Sequence, residues 1–568
     1  MSILSRLAAL FGLLLLVGCQ PASPTLPVSP ALSPTSELSA TNPPPITPTA
    51  PVTAVPDQPT ATTTPPAAQT IYLADSLPQG LREAFGYPAS YTLTSDPAAA
   101  DIHLEVWSPE SATVQSITWW TYALVAPFPT IPGNITAQAL RRAWIGEAVE
   151  PFAGVPLLME AETLTVLSAW WGEPAAQAVQ VLPAASILET AWENQPGWAI
   201  VPFEALEPRW KVLTIDGTSP LQREYDPQAY ALSIPYVLTA PPGLYDWSLP
   251  PGNRDASRLS VVDLTGVTAL VRGTALWMER YGITYPAQNV GSLLSGADLT
   301  HISNEIPFTT DCPYPELHPT GMVFCSNPAY IELLNTIGAD IIELTGDHFA
   351  DWGPEALYYT LSLYEDYNMQ VYGGGINAEQ ARRPLLVEHN GNRLAFLGCN
   401  IGCQVKPQVP CDAIADAERP GAALCDFDWL QGEISDLTSQ GYQVLFTFQH
   451  REEYTYTATP ILVEDFGRVA QMGATIVSGS QAHQAHGFAF DSGAFIHYGL
   501  GNLFFDQYHF CADYACDYAF IDRHIFYAGR HISTELIPIR FVDLARPRLM
   551  TPEESARFLE IIFTASGW

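Results

Sequence analysis

The stretch Ala339-Asp340-Ile341-Ile342-Glu343-Leu344-Thr345-Gly346-Asp347-His348-Phe349-Ala350-Asp351-Trp352-Gly353 decides how the chain is read. Its apolar half (Ile341, Ile342, Leu344) reads as a buried strand, which breaks at once into a glycine turn carrying Asp347, His348 and Asp351. Open α/β sheets place their chemistry just outside the carboxyl ends of such strands. The arrangement recurs twice further on. Val444-Leu445-Phe446-Thr447-Phe448 runs into Gln449-His450-Arg451-Glu452-Glu453-Tyr454, and Ala474-Thr475-Ile476-Val477 runs into Ser478-Gly479-Ser480-Gln481-Ala482-His483. Three strand ends of one kind predict one shared pocket.

Around these strands, residues 256–568 alternate apolar strands with helical stretches at 328–337, 354–367, 428–440 and 460–472, the pattern of an α/β domain. Gly338, Gly441 and Gly473 each fall between a helix and the next strand, where a left-handed C-cap is expected. The turn-rich Pro250-Pro251-Gly252-Asn253-Arg254-Asp255 marks a boundary. Before it, residues 70–255 read as a smaller α/β domain, in which Trp119, Trp120, Trp144, Trp170 and Trp171 are expected in core and cleft packing. Residues 20–69 are Pro-, Thr-, Ser- and Ala-rich with almost no aromatic content, a composition too poor in apolar groups to offset chain entropy. A disordered tether is the expectation there.

Residues 1–19 combine Arg6, an apolar run from Leu7 to Val17, and Leu16-Val17-Gly18-Cys19. This resembles a bacterial lipoprotein signal with its cleavage box, implying a lipid on Cys19 and an extracytoplasmic protein held to the membrane. Export makes disulfides the default for the other eight cysteines. Cys312 with Cys325 and Cys511 with Cys516 are the expected local pairs, while Cys399, Cys403, Cys411 and Cys425 pair among themselves in a pattern left open. A formal charge of −35 argues against nucleic acid as a partner.

The candidate site residues are His301, Asn304, Glu305, Asp347, His348, Asp351, Gln449, His450, Glu453, Ser480, Gln481 and His483. Carboxylates mixed with imidazoles on neighbouring strand ends hold divalent metals or act as acid and base. A plainer role is open for each: Asp347 or Asp351 would suit the cap of the helix that begins near Pro354. Gly373-Gly374-Gly375 reads as a plain turn. No phosphate-binding loop with a lysine, nucleophile elbow or dinucleotide fingerprint is present.

At these residues a family is recognisable. The second domain resembles the CapA capsule-synthesis (poly-γ-glutamate) proteins, a family related in fold to calcineurin-like metallophosphatases. The likeness rests on Thr265–Arg272, Ala297-Asp298-Leu299 with Asn304-Glu305-Ile306-Pro307, Gly346-Asp347-His348 with Asp351-Trp352-Gly353, Tyr372–Gly375, Glu453-Tyr454, and Gly473–His483 followed by Tyr498–Asp506. It implies an α/β sandwich and a divalent metal site. Of the family's site residues, Glu305, His348, Asp351, Glu453, Tyr454 and His483 carry over, with Glu305, His348 and His483 as metal ligands and Asp347 beside them. The chain departs from the family at Val267, Ser303, Asp347, Gln449, Ser480 and Gln481. The implied function is synthesis or export of a capsule-type surface polymer, with hydrolase chemistry. The alternative is a non-catalytic surface lipoprotein that binds a solute or polymer, a reading encouraged by Tyr122–Phe128 and Ile135–Gly146, which look like part of a periplasmic solute-binding protein of the phosphate-binding sort.

Overall fold

The computed structural model describes residues 69–109, 111, 114–241, 248–402, 411–507 and 516–568. The lipoprotein signal with Cys19, nearly all of the tether, and Cys403 and Cys511 lie outside the described residues. Strands from Leu259 onward build two sheets. The first runs in the order Gln370–Tyr372, Ala339–Glu343, Leu299–Asn304, Leu259–Thr265, Tyr518–Tyr527, Arg530–Phe541, Pro547–Leu549. Its first four strands are parallel and the rest antiparallel. The second runs Leu385–His389, Asn392–Asn400, Gln443–Gln449, Ile476–Ser478, Ala494–His497, Phe488–Asp491, parallel at its centre.

The continuous apolar runs follow from burial on both faces of each sheet. Successive side chains point to opposite faces. Ile341 and Leu445 therefore join Val262, Phe396 and Ile476 in the core between the sheets. Their neighbours turn outward: Ile342 meets Leu333 and Leu357 on one side, and Phe446 meets Leu430 and Ile434 on the other. The result is a four-layer helix–sheet–sheet–helix sandwich. Helices Gly353–Asp366, Phe427–Ser439 and Pro460–Gln471 return the chain so that strands run parallel and end on one side. Gly338, Gly441 and Gly473 have φ of 70°, 83° and 108°, the left-handed conformation expected at those helix ends.

The earlier part of the chain forms a mixed sheet in the order Tyr91–Thr94, Gln69–Leu73, Ile102–Val106, Ser233–Thr239, Val114–Pro127, Trp198–Pro202, Leu157–Met159, Val179–Val181, with Trp210–Val212 also on Val114–Pro127. Trp120 and Trp144 are buried in its core, and Trp144 meets Trp171 edge to face at 5.4 Å. Phe128 inserts among Phe488, Phe490, Phe495 and Trp568 at centroid distances of 5.4–5.9 Å, so this part is seated firmly on the sandwich. No helix among the described residues is long and apolar enough to cross a membrane.

Disulfides link Cys312 to Cys325 and Cys399 to Cys425. Cys411 and Cys516 are also disulfide-bonded.

Two features of the sandwich carry stability predictions. At Gly266 an added Cβ would collide with the carbonyl oxygen of Gly501, whose oxygen accepts the Val267 N–H at 3.0 Å. Gly266→Ala is expected to lower the denaturant midpoint by the equivalent of about 2 kcal/mol, because backbone must move to admit the methyl group. The second concerns buried histidines. Burial holds His531 down at about 3 and His486 at about 4, and pushes His524 well below its ordinary value. An unfolded chain would bind protons at these rings from about pH 6.5 downward. The stability these three rings contribute is thus complete above pH 6.5 and falls as pH drops, by about 3 kcal/mol from His531 alone between pH 6.5 and 4. Urea midpoints at pH 7 and 4.5 test this: His531→Gln should lose less on acidification than the parent chain.

Candidate functional site

The strand Leu299–Asn304 delivers Glu305 to the floor of the site, where it is 2 % exposed. Ala339–Glu343 leads into the turn bearing Asp347 and His348, and the end of Gln443–Gln449 leads to Glu452. Ile476–Ser478 leads to His483. Donor atoms of Glu305, Asp347 and His348 lie within 4.8 Å of one another, as do those of Glu305, Glu452 and His483. The three predicted strand ends therefore converge, and Glu305 is common to both groups.

Each imidazole is fixed through Nδ1. His348 Nδ1–H donates to Asp351 Oδ2 at 2.7 Å, and that carboxylate also accepts the Phe324 backbone N–H at 2.8 Å. His483 Nδ1–H donates to Asn502 Oδ1 at 2.9 Å. Its Nε2 faces Glu452 at 3.2 Å and Glu305 at 3.8 Å. Asp351 accordingly orients a ring. The helix Gly353–Asp366 has no side-chain cap, so neither Asp347 nor Asp351 takes that role. Phe324 and Phe505 lie against His348 and His483, each with centroids 5.0 Å apart.

The electrostatics follow from crowding acids and imidazoles in a dry place. Burial pushes Glu305 up to about 7, with Asp347 and Glu452 adding repulsion against the pull of His483 and His348. Burial alone would lower His348, but the Asp351 bond and the charges of Glu305 and Asp347 raise it to about 10. For His483, Glu452 and Glu305 likewise overcome burial and raise it to about 9.

Not every candidate joins this group. Glu453 pairs with Arg451 at 2.8 Å, and Glu452 is the acid of that loop that reaches His483. Tyr454 donates to Glu452 at 3.1 Å. His450 turns away to Asp465 on the helix Pro460–Gln471, at 3.0 Å. Ser480 donates to Glu343, a buried acid that also accepts from Thr345 at 2.6 Å and lies 3.4 Å from His301. His301 in turn meets Tyr372 at 2.8 Å. These residues tie the two sheets together beneath the site. Arg272, which carried no predicted role, is buried with φ 46°, bonds Asp506 at 3.1 Å and Gln507 at 2.8 Å, and lies 4.3 Å over the Phe505 ring. It backs the wall that holds His483.

The residues present fit a divalent ion. Both rings are anchored through Nδ1 to an oxygen acceptor, the arrangement by which metal-binding histidines are oriented, leaving Nε2 for the ion. Asp347 Oδ1 and Asn304 Oδ1 are buried with no hydrogen-bond partner. Mixed imidazole and carboxylate donors suit zinc, manganese or iron.

A two-sheet sandwich with acids and imidazoles gathered at its strand ends defines a metallophosphatase-like α/β domain. Residues 252–507 match the family model described as "Bacterial capsule synthesis protein PGA_cap". Capsule biosynthesis protein CapA of Bacillus anthracis is 23% identical over 263 residues, 45% of this chain. The match spans 62% of that relative's length, less than two thirds of it. Among solved structures, a hypothetical protein from Thermus thermophilus is similar with a TM-score of 0.30 and 13% identity, over 49% of this chain and 98% of its own. An ABC-type phosphate transport receptor from Vibrio cholerae is similar with a TM-score of 0.23 and 15% identity, over 26% of this chain and 70% of its own.

Proposed function

We propose that this chain is an extracytoplasmic protein, tethered by residues 20–69 to a lipid on Cys19, that serves the synthesis or export of a capsule-type surface polymer of the poly-γ-glutamate kind. Its parts are a smaller α/β domain at 70–255 and the CapA-like domain at 256–568. The working centre is Glu305, Asp347, His348, Asp351, Glu452 and His483. The observation that carries this reading is the pair of imidazoles, from two different strand-end turns, sharing one buried carboxylate.

A divalent ion held by Glu305, Asp347 and His348, by Glu305, Glu452 and His483, or by both sets would act as a Lewis acid on a phosphoryl or carbonyl oxygen. The protein's own groups do the rest. Asp351 and Asn502 hold the rings in place, Phe324 and Phe505 pack against their faces, and whichever of Glu305 and Asp347 is not bound to the ion is placed to take up or release a proton. A binding role without turnover is the second reading. It is favoured by Gln481, a departure from the family, whose amide oxygen and nitrogen are both buried without partners.

Elemental analysis of the purified protein, with a phosphodiester and amide substrate panel run against His348→Ala, separates the two. The catalytic reading expects stoichiometric metal and at least a ~100-fold loss of turnover in the variant. No metal and no difference between the proteins would leave binding alone.

A further inference from the structure

A cavity of about 1090 Å³ lies between the earlier sheet and the sandwich. One wall is Lys211 with its neighbours on the strand Trp210–Val212. The other includes Arg523 and Glu535 on the antiparallel strands Tyr518–Tyr527 and Arg530–Phe541. Ser295, Gly296 and Ala297 close one side, just before the strand Leu299–Asn304. Glu305 follows the far end of that strand, so the cavity and the acidic site stand ~20 Å apart at a strand's rise per residue.

The charges in this cavity are unusual for the chain. Only two lysines occur in all 568 residues, Lys211 and Lys406. Lys211 donates from Nζ to the carbonyl oxygens of Thr130 and Ile131 at 2.5 and 2.9 Å. Arg523 is committed to Asp263 through two 2.8 Å bonds, which neutralise each other's charge. Among the described residues neither Lys211 nor Glu535 enters an ion pair, although each feels the other's charge. Burial lowers Lys211 to about 8, while Glu535 is exposed on the wall of the cavity. An ammonium and a carboxylate thus line one space without closing on each other, the carboxylate exposed and the ammonium half-buried. Phe128, Leu559 and Phe563 supply apolar wall between them.

We propose that this cavity binds a small zwitterion, an amino acid or short peptide, whose carboxylate meets Lys211, whose ammonium meets Glu535, and whose body rests on the apolar wall. A carboxylate alone would use only Lys211, and an amine alone only Glu535, which already has Arg523 opposite it across the strand pair. The volume is within reach of pockets that enclose small ligands. This site is separate from the acidic centre and its proposal does not depend on metal or turnover there.

Calorimetric titration of the whole protein tests it with L-leucine, L-phenylalanine and trialanine, with propionate, propylamine and inorganic phosphate as single-charge probes. The zwitterions are expected to bind, the amino acids and the peptide being told apart by which saturates at lower concentration. Propionate, propylamine and phosphate should give at least tenfold weaker binding. Glu535→Gln, which keeps shape and removes charge, should weaken zwitterion binding tenfold or more, and so should Lys211→Met. Ala556→Trp, on the cavity wall, should abolish it while removing no charge. If Lys211→Met fails to fold, the other two variants still decide. Absence of binding by every zwitterion at millimolar concentration overturns the proposal. So does equal binding of propionate or phosphate with no effect of Glu535→Gln, which would mark a plain anion site.

Discussion

Glu305→Gln is expected to abolish divalent metal binding by at least ~100-fold while leaving the fold intact. Glu305 supplies the donor common to both groups, so its loss removes a ligand from each at once. An amide of the same shape keeps the packing but offers no negative charge, and metal affinity falls steeply when a charged donor becomes neutral. Burial already disfavours the charged form of Glu305. The amide should therefore fold within about 1 kcal/mol of the parent chain. Equilibrium titration with zinc or manganese, alongside urea unfolding of both proteins, checks the two halves separately. Unchanged affinity in a folded variant would remove Glu305 from the centre.

The largest stability effect is expected at Asp506. It is fully buried, accepts the Gly273 N–H at 3.0 Å, and bonds the guanidinium of Arg272 at 3.1 Å. Asp506→Ala would break a buried ion pair from one side, a change that costs about 3–5 kcal/mol. The wall behind His483 should loosen with it, because Phe505 lies between Arg272 and the imidazole. Arg272→Met on the same background should restore part of the loss, since replacing both members of a buried pair costs less than removing one. A double-mutant cycle by urea denaturation measures this. Additive losses in the double variant would mean that the two residues do not act as a pair.

Much of the sandwich was legible because its strands are buried on both faces and its helices end in glycine. Those signals are local: an apolar run, a capping residue, a turn. The convergence of strand ends was legible for the same reason, since parallel strands joined by helices must end on one side. What the sequence concealed lies in loops. At Arg451-Glu452-Glu453-Tyr454 family spacing pointed to Glu453. In the folded chain these residues are irregular, Glu452 accepts from Tyr454 and faces His483, and Arg451 takes Glu453. His450 looked equivalent to a site residue until Asp465, fifteen positions away on a helix, took it. Arg272 could not be found by pattern, because its partners Asp506 and Gln507 come from more than 230 residues further along. The zwitterion cavity was hidden likewise, being assembled from both parts of the chain.

The claim at the centre of this account is that His348, His483 and Glu305 form one metal-binding place. Anomalous diffraction from crystals equilibrated with zinc or manganese, collected at the absorption edge, addresses it most directly. The expected result is a peak bounded by Glu305 and by the Nε2 atom of His348, of His483 or of both. A strong peak elsewhere, or none at saturating metal, would contradict it.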